Sequence, residues 1–162
     1  EYGGAIETRY SSQLDLEDAV KEADLVIGAV LVPGAKAPKL VTNATVAQMR
    51  PGAVLVDIAI DQGGCFEDSK PTTHDDPTFR VHDAVFYCVA NMPGAVPRTS
   101  TYALTNATMP YVIKLAERGW KSACQADPAL AKGLSTHEGA MLSEQVASDL
   151  DLPFTDPATL LA

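Results

Sequence analysis

The stretch at residues 53–64, AVLVDIAIDQGG, constrains the fold more than any other part of the chain. Val54, Leu55, Val56, Ile58, Ala59 and Ile60 form a short apolar run rich in β-branched residues, interrupted by Asp57 and ended by Asp61. Pro51-Gly52 precede it and Gly63-Gly64 follow, so the run has the length of a strand rather than a helix. A run that does not alternate with polar residues marks a buried strand of a parallel sheet. In open α/β sheets ligands bind beyond the carboxyl ends of the strands, which puts Asp61 where a ligand lies. Two readings of Asp61 stand side by side. It is a turn residue whose carboxylate makes local hydrogen bonds, or it is a carboxylate that binds a ligand or moves a proton. In the second reading Gly63 and Gly64 keep the backbone low enough for a ligand to approach.

The surrounding sequence repeats the strand and helix alternation. Residues 5–10 are a strand candidate. Leu16, Ala19, Val20 and Ala23 recur at helical spacing, with acids crowding the first turn. Residues 24–31 are a second apolar strand. Pro33, Gly34 and Pro38 mark a loop, and Thr42 or Asn43 caps a short helix that runs to Met49. Residues 65–80, polar and carrying Pro71 and Pro77, read as an excursion, and residues 84–90 (AVFYCVA) as another strand. This order predicts an α/β fold whose parallel sheet is covered on both faces.

Composition shifts after residue 97. Thr99, Ser100 or Thr101 caps a helix carrying Ala103, Leu104 and Ala107. Pro110 either kinks it or opens a second helix capped by Thr108, and Gly119 stops the pattern. No strand is expected beyond that point. Ser135-Thr136-His137-Glu138 reads as a capping box for a helix bearing Met141, Leu142, Val146 and Leu150. Residues 153–162 read as a turn-like surface tail.

Composition excludes several classes. The formal net charge of −9 over 162 residues argues against nucleic acid or an anionic membrane surface as partner. No apolar run is long enough to span a bilayer. Three distant cysteines, Cys65, Cys88 and Cys124, fit neither a disulfide framework nor a zinc site and point to a reducing cytoplasm. The opening Glu1-Tyr2-Gly3-Gly4 is not a signal peptide and reads as the middle of a longer protein.

Two further loops follow strands and join Asp61 as candidates. Asn91 and Met92 end the strand at 84–90, and the Asn91 amide, both donor and acceptor, suits a carboxamide ligand. The alternative is a proline-rich crossover without chemistry. Residues 30–40 are placed to cover a cofactor, with Lys36 and Lys39 expected to be merely solvated. His74 and His82 are expected at the surface, and His137-Glu138 lacks the metalloprotease spacing. No G-x-G-x-x-G turn is present, so a phosphate-binding turn is expected upstream of residue 1.

The stretches ADLVIGAVLVPGAKAPKLV, MRPGAVLVDIAIDQGGCFEDSKPTTHDDPTF, VANMPGAVPRTSTYALTNATMPYV and GLSTHEGAM cover most of the chain. On these the chain resembles the carboxyl-terminal part of bacterial NAD-dependent L-alanine dehydrogenases, in their actinobacterial form. The related transhydrogenases share the fold but carry a Glu-Ala-Gly-Gly type sequence where this chain has Asp61-Gln62-Gly63-Gly64. The resemblance implies the second half of a Rossmann-like NAD-binding parallel sheet over residues 1–97. It implies a connecting helix and the C-terminal helices of the substrate domain over residues 98–162. It implies that Asp61 is the active-site aspartate and that it also lies against the bound cofactor. Asn91 and Met92 would contact the nicotinamide, with Asn91 also touching substrate, and Val30, Leu40, Ile58 and Val89 would line the NAD cleft. The implied reaction is reversible oxidative deamination of L-alanine to pyruvate and ammonia with NAD, in a cytoplasmic homohexamer, without an obligatory metal. The family's catalytic lysine and histidine, substrate-binding arginine and Gly-rich turn are expected before residue 1. The isolated chain is therefore expected to be inactive, and to self-associate through exposed sheet edge and apolar faces. The alternatives are an NAD module of transhydrogenase type and a non-catalytic truncated fragment.

Overall fold

The computed structural model describes residues 3–32 and 36–162. These form two compact units, residues 3–32 with 36–92, and residues 93–162.

The first unit is α/β. Helix α1, Gln13–Glu22, starts where Ser12 Oγ accepts the Asp15 N–H, and it buries Val20. Strand β1 is Leu25–Gly28. Helix α2, Asn43–Val46, is capped by Thr42, whose Oγ1 accepts from Thr45 N–H. Strand β2 is Val54–Asp57, followed by β3, Thr78–Val81, and β4, Ala84–Tyr87. The sheet order is β1-β2-β4-β3. β1, β2 and β4 are parallel, with Val26 opposite Leu55 and Leu55 opposite Phe86.

Four expectations are corrected here. Residues 5–10 form no strand, and Ile6 and Tyr10 are exposed. The excursion at 65–80 contains β3, which pairs antiparallel with β4 through the two-residue turn His82-Asp83 and makes the sheet mixed. Phe79 and Val81 point inward on it, and Phe79 stacks on Phe86 at 5.2 Å. Among the described residues, helices cover one face of the sheet and not both. α1 and α2 pack with Leu55, Phe66 and Phe86 in one core, while Leu25 and Ile27, on the opposite face, are more than half exposed. Finally β2 is shorter than the apolar run: Ile58–Gln62 is a 3-10 turn. Residues 33–35 of the expected loop, and Glu1 and Tyr2, lie outside the described residues.

The second unit is helical with one small hairpin. Helix α3 spans Pro97–Ala126 with Pro97 in its first turn, so Val96 rather than Thr99, Ser100 or Thr101 stands at its cap. Pro110 is accommodated within it, and the break comes at Gly119, at φ 70° and ψ 160°. Asp127 Oδ1 caps α4, Pro128–Ala131, through the N–H groups of Ala129 and Leu130. Its other oxygen takes a 2.6 Å bond from Lys114, and the pair holds the Asp127 carboxyl below the usual aspartate range. The expected capping box is instead a hairpin, β5 Thr136–His137 and β6 Ala140–Met141. Its turn residues Glu138 and Gly139 both have positive φ, 47° and 82°, as a type I′ turn requires. The following helix, α5, begins only after Ser143 and runs Glu144–Asp149. The tail contains a short α6, Ala158–Leu161; Gln125 donates to the Leu161 carbonyl and Lys121 to that of Ala162 just past the helix. Among the described residues no helix is long and apolar enough to cross a membrane.

Candidate active site

The local structure around Asp61 is set by Asp57. Asp57 ends β2 fully buried, where an apolar sheet face offers its carboxylate no water. It is satisfied instead by the chain that follows. Oδ2 accepts the backbone N–H of Cys65 at 2.9 Å and of Phe66 at 3.4 Å, and a short bond from the Ser69 hydroxyl. The Cys65 thiol donates to Oδ1. Residues 57–69 are thereby folded back on the strand end. Burial, then the Asp57 charge, push the Cys65 thiol up to about 11, and burial likewise raises Cys88. Gly64, at φ 74°, has no room for a side chain: a Cβ there would lie 2.7 Å from Asp57 Oδ2 and 2.6 Å from Ser69 Cβ. A lone acid in an apolar run was the available signal for this hub.

Lys39 belongs to the same assembly. It was expected to be solvated, but its ammonium donates to the carbonyls of Gly63 at 2.6 Å and Phe66 at 3.0 Å. The reason is geometric, since the reversal at Gly63-Gly64 turns carbonyls outward that no strand or helix satisfies.

The 3-10 turn presents Asp61 at the surface, at the carboxyl edge of the parallel strands. A cleft of about 310 Å³ opens there, walled by Ala29, Val30, Leu31, Ile58, Ala59, Asp61 and Gln62. Three expected site residues, Val30, Ile58 and Asp61, thus meet in one place. Gln62 adds an unforeseen feature: its Oε1 is buried without a hydrogen-bond partner, the one such side-chain atom among the described residues. An apolar slot edged by a carboxylate fits a flat, largely apolar group with a polar edge.

The other expected residues stand elsewhere. Leu40 is half-buried, with its N–H on the Cys65 carbonyl at 2.7 Å. Val89 is fully buried and bridges to Thr72. Asn91 is exposed in the left-handed region at φ 57°, and Met92 opens a 3-10 turn, Met92–Ala95. None of these four walls the Asp61 cleft. Among the described residues no group of three His, Cys, Asp or Glu side chains could hold a metal.

The family model described as "Alanine dehydrogenase/PNT, C-terminal domain" matches residues 1–144. The chain is 80% identical over its whole length to an alanine dehydrogenase of Mycolicibacterium smegmatis, covering 44% of that protein. It is 75% identical to one of Mycobacterium tuberculosis, again covering 44%. The chain thus spans less than half the length of these relatives. Among solved structures, an L-alanine dehydrogenase superposes with a TM-score of 0.78 at 51% identity, over 93% of this chain and 41% of that one. A transhydrogenase from Sinorhizobium meliloti superposes with a TM-score of 0.51 at 27% identity, over 56% of this chain and 25% of that one. With the family model matched over nearly all of its length, the chain belongs to the alanine dehydrogenase/PNT family, as a C-terminal domain.

Proposed function

We propose that the enzyme of which this chain forms part oxidatively deaminates L-alanine, reversibly, with NAD as hydride acceptor. L-alanine and water become pyruvate and ammonium, two electrons and one proton leave as a hydride to NAD, and one further proton is released to solvent. The observation that carries this reading is the cleft at the strands' carboxyl edge, where Asp61 stands beside the apolar side chains of Val30 and Ile58. When bound, NAD supplies the hydride-accepting carbon. Val30 and Ile58, with the neighbouring Ala29, Leu31 and Ala59, offer it an apolar wall. The Asp61 carboxylate takes and returns protons at the substrate amine and at the water that attacks its carbon. Asn91 and Met92, which stand outside the wall of this cleft, are assigned to the nicotinamide and substrate side, and Leu40 and Val89 to the NAD-binding region beyond it.

In this reading residues 1–97 are the C-terminal half of the NAD-binding domain. Residues 98–162 are the connecting helix and the last part of the substrate domain. The enzyme is a cytoplasmic homohexamer that binds neither nucleic acid nor membrane, and the 162-residue chain alone is inactive. The transhydrogenase likeness supports a second reading, an NAD module that exchanges hydride between nucleotides. One experiment separates the two. The full-length protein is assayed for NADH formation from L-alanine and for hydride exchange between nucleotides. Alanine-dependent NADH formation is expected, and exchange without alanine oxidation would overturn the proposal.

A further inference from the structure

The segment before β3 runs as a strap along the end of β4. Thr72 N–H donates to the Cys88 carbonyl at 3.0 Å, and the Thr72 carbonyl accepts from Ala90 N–H at 3.2 Å. Thr72 and Val89 form a parallel bridge, extending the pairing of β4 beyond its last strand residue. Thr72 Oγ1 ties the strap to itself through the Pro77 carbonyl at 3.0 Å. Two residues on, His74 Nε2 lies 3.2 Å from the Asn91 backbone carbonyl. A carbonyl oxygen only accepts, so Nε2 is the protonated nitrogen in this contact.

Asn91 is the first residue past this pairing, and its φ of 57° lies in the left-handed region, which asparagine enters more readily than most non-glycine residues. On its N-terminal side Ala90 is held by Thr72, and on its own carbonyl Asn91 is held by His74. The peptide joining Asn91 to Met92 is thereby fixed in direction.

From this we propose that His74 is a positioning residue. By holding the Asn91 carbonyl, it fixes the aim of the Asn91–Met92 peptide toward the bound nucleotide. The inference rests on the reading above that Asn91 and Met92 face the nicotinamide. His74 itself touches neither substrate nor cofactor. It is exposed and outside the core, so its replacement leaves the fold intact.

The test compares His74→Leu, which has no donor, with His74→Gln, whose Nε2 donates at similar reach, in the full-length enzyme. NADH affinity is measured by fluorescence titration, and hydrogen exchange is followed in a peptide spanning residues 88–96. Removing a hydrogen bond of this kind predicts that His74→Leu weakens NADH binding about 3- to 10-fold and speeds exchange at 88–96. The midpoint of urea unfolding is expected to stay unchanged. His74→Gln restores both readouts to within about twofold of the parent. Parental binding and exchange in His74→Leu would overturn the inference, as would a His74→Gln as impaired as His74→Leu. Asn91→Ala is the control for the underlying reading. If it leaves NADH affinity unchanged, Asn91 does not face the nucleotide and the proposal is overturned at that step. If only the His74 variants are silent, the positioning role alone falls.

Discussion

Replacing Asp57 with alanine removes the buried acceptor that the N–H groups of Cys65 and Phe66 and the Ser69 hydroxyl share. The variant leaves two buried backbone N–H groups, those of Cys65 and Phe66, without a partner. Each such orphan costs about 1–3 kcal/mol, so the loss is about 2–6 kcal/mol. The Ser69 hydroxyl contributes less, because it can rotate to another acceptor. Against a domain stability of about 5–15 kcal/mol this is severe. Asp61→Asn, four residues on and exposed, is expected to change stability by no more than about 0.5 kcal/mol. The assay is equilibrium urea unfolding followed by far-UV circular dichroism. With an m-value of about 2 kcal/mol/M, Asp57→Ala lowers the midpoint by about 1–3 M and Asp61→Asn by less than about 0.3 M. In the 162-residue chain, fluorescence of Trp120, the one tryptophan, reports the second unit and serves as an internal reference. A midpoint for Asp57→Ala within about 0.3 M of the parent, at unchanged m, would refute the claim that Asp57 organises the site loop.

Three other outcomes follow from the geometry. A Cβ on Gly28 would lie 2.3 Å from Cys65 Sγ and 2.7 Å from Phe66 Cζ, both in the core, so Gly28→Ala should destabilise by about 1–3 kcal/mol in the same titration. Cys65 has its thiol raised from about 9 to about 11, so the neutral form is the one the fold favours. The stability it contributes is complete below the ordinary thiol range and is lost as pH rises toward 11, and Cys65→Ala should flatten that alkaline decline. Asp127 is depressed chiefly by Lys114, so its contribution is present above the ordinary aspartate range and lost as pH falls through its lowered value. Carbon-detected NMR titration should show its pKa rising toward the ordinary value in Lys114→Met.

What the sequence made legible was what periodicity and capping control. α1, α2, β1, β2 and β4 follow from apolar spacing, from Thr42 as a cap, and from Pro51-Gly52 as a stop. β3 was hidden because Thr78-Phe79-Arg80-Val81 is only four residues long and follows Pro77 in a polar stretch; its one signal was alternation, Phe79 and Val81 inward. The hairpin at 136–141 was hidden by a competing pattern. Ser135 and Glu138 have capping-box spacing, yet Glu138-Gly139 also suits a type I′ turn, and the pairing of Thr136 with Met141 decides between them. At the site, the strand-end rule located Asp61, because an apolar run with an acid at its tip is a local signal. The hub at Asp57, the Lys39 ties and the His74 strap are long-range. Each joins residues 8 to 27 positions apart through backbone groups, which side-chain pattern does not encode.

The proposed chemistry depends most directly on the carboxylate of Asp61. In the full-length enzyme, Asp61→Asn keeps the cleft's shape and its NADH affinity to within about threefold, and removes a group that can exchange protons at neutral pH. General acid–base catalysis contributes about 10²- to 10⁴-fold, so kcat for L-alanine oxidation should fall by at least about 100-fold. A variant that retains turnover to within about threefold of the parent would contradict the assignment of Asp61 to the chemistry.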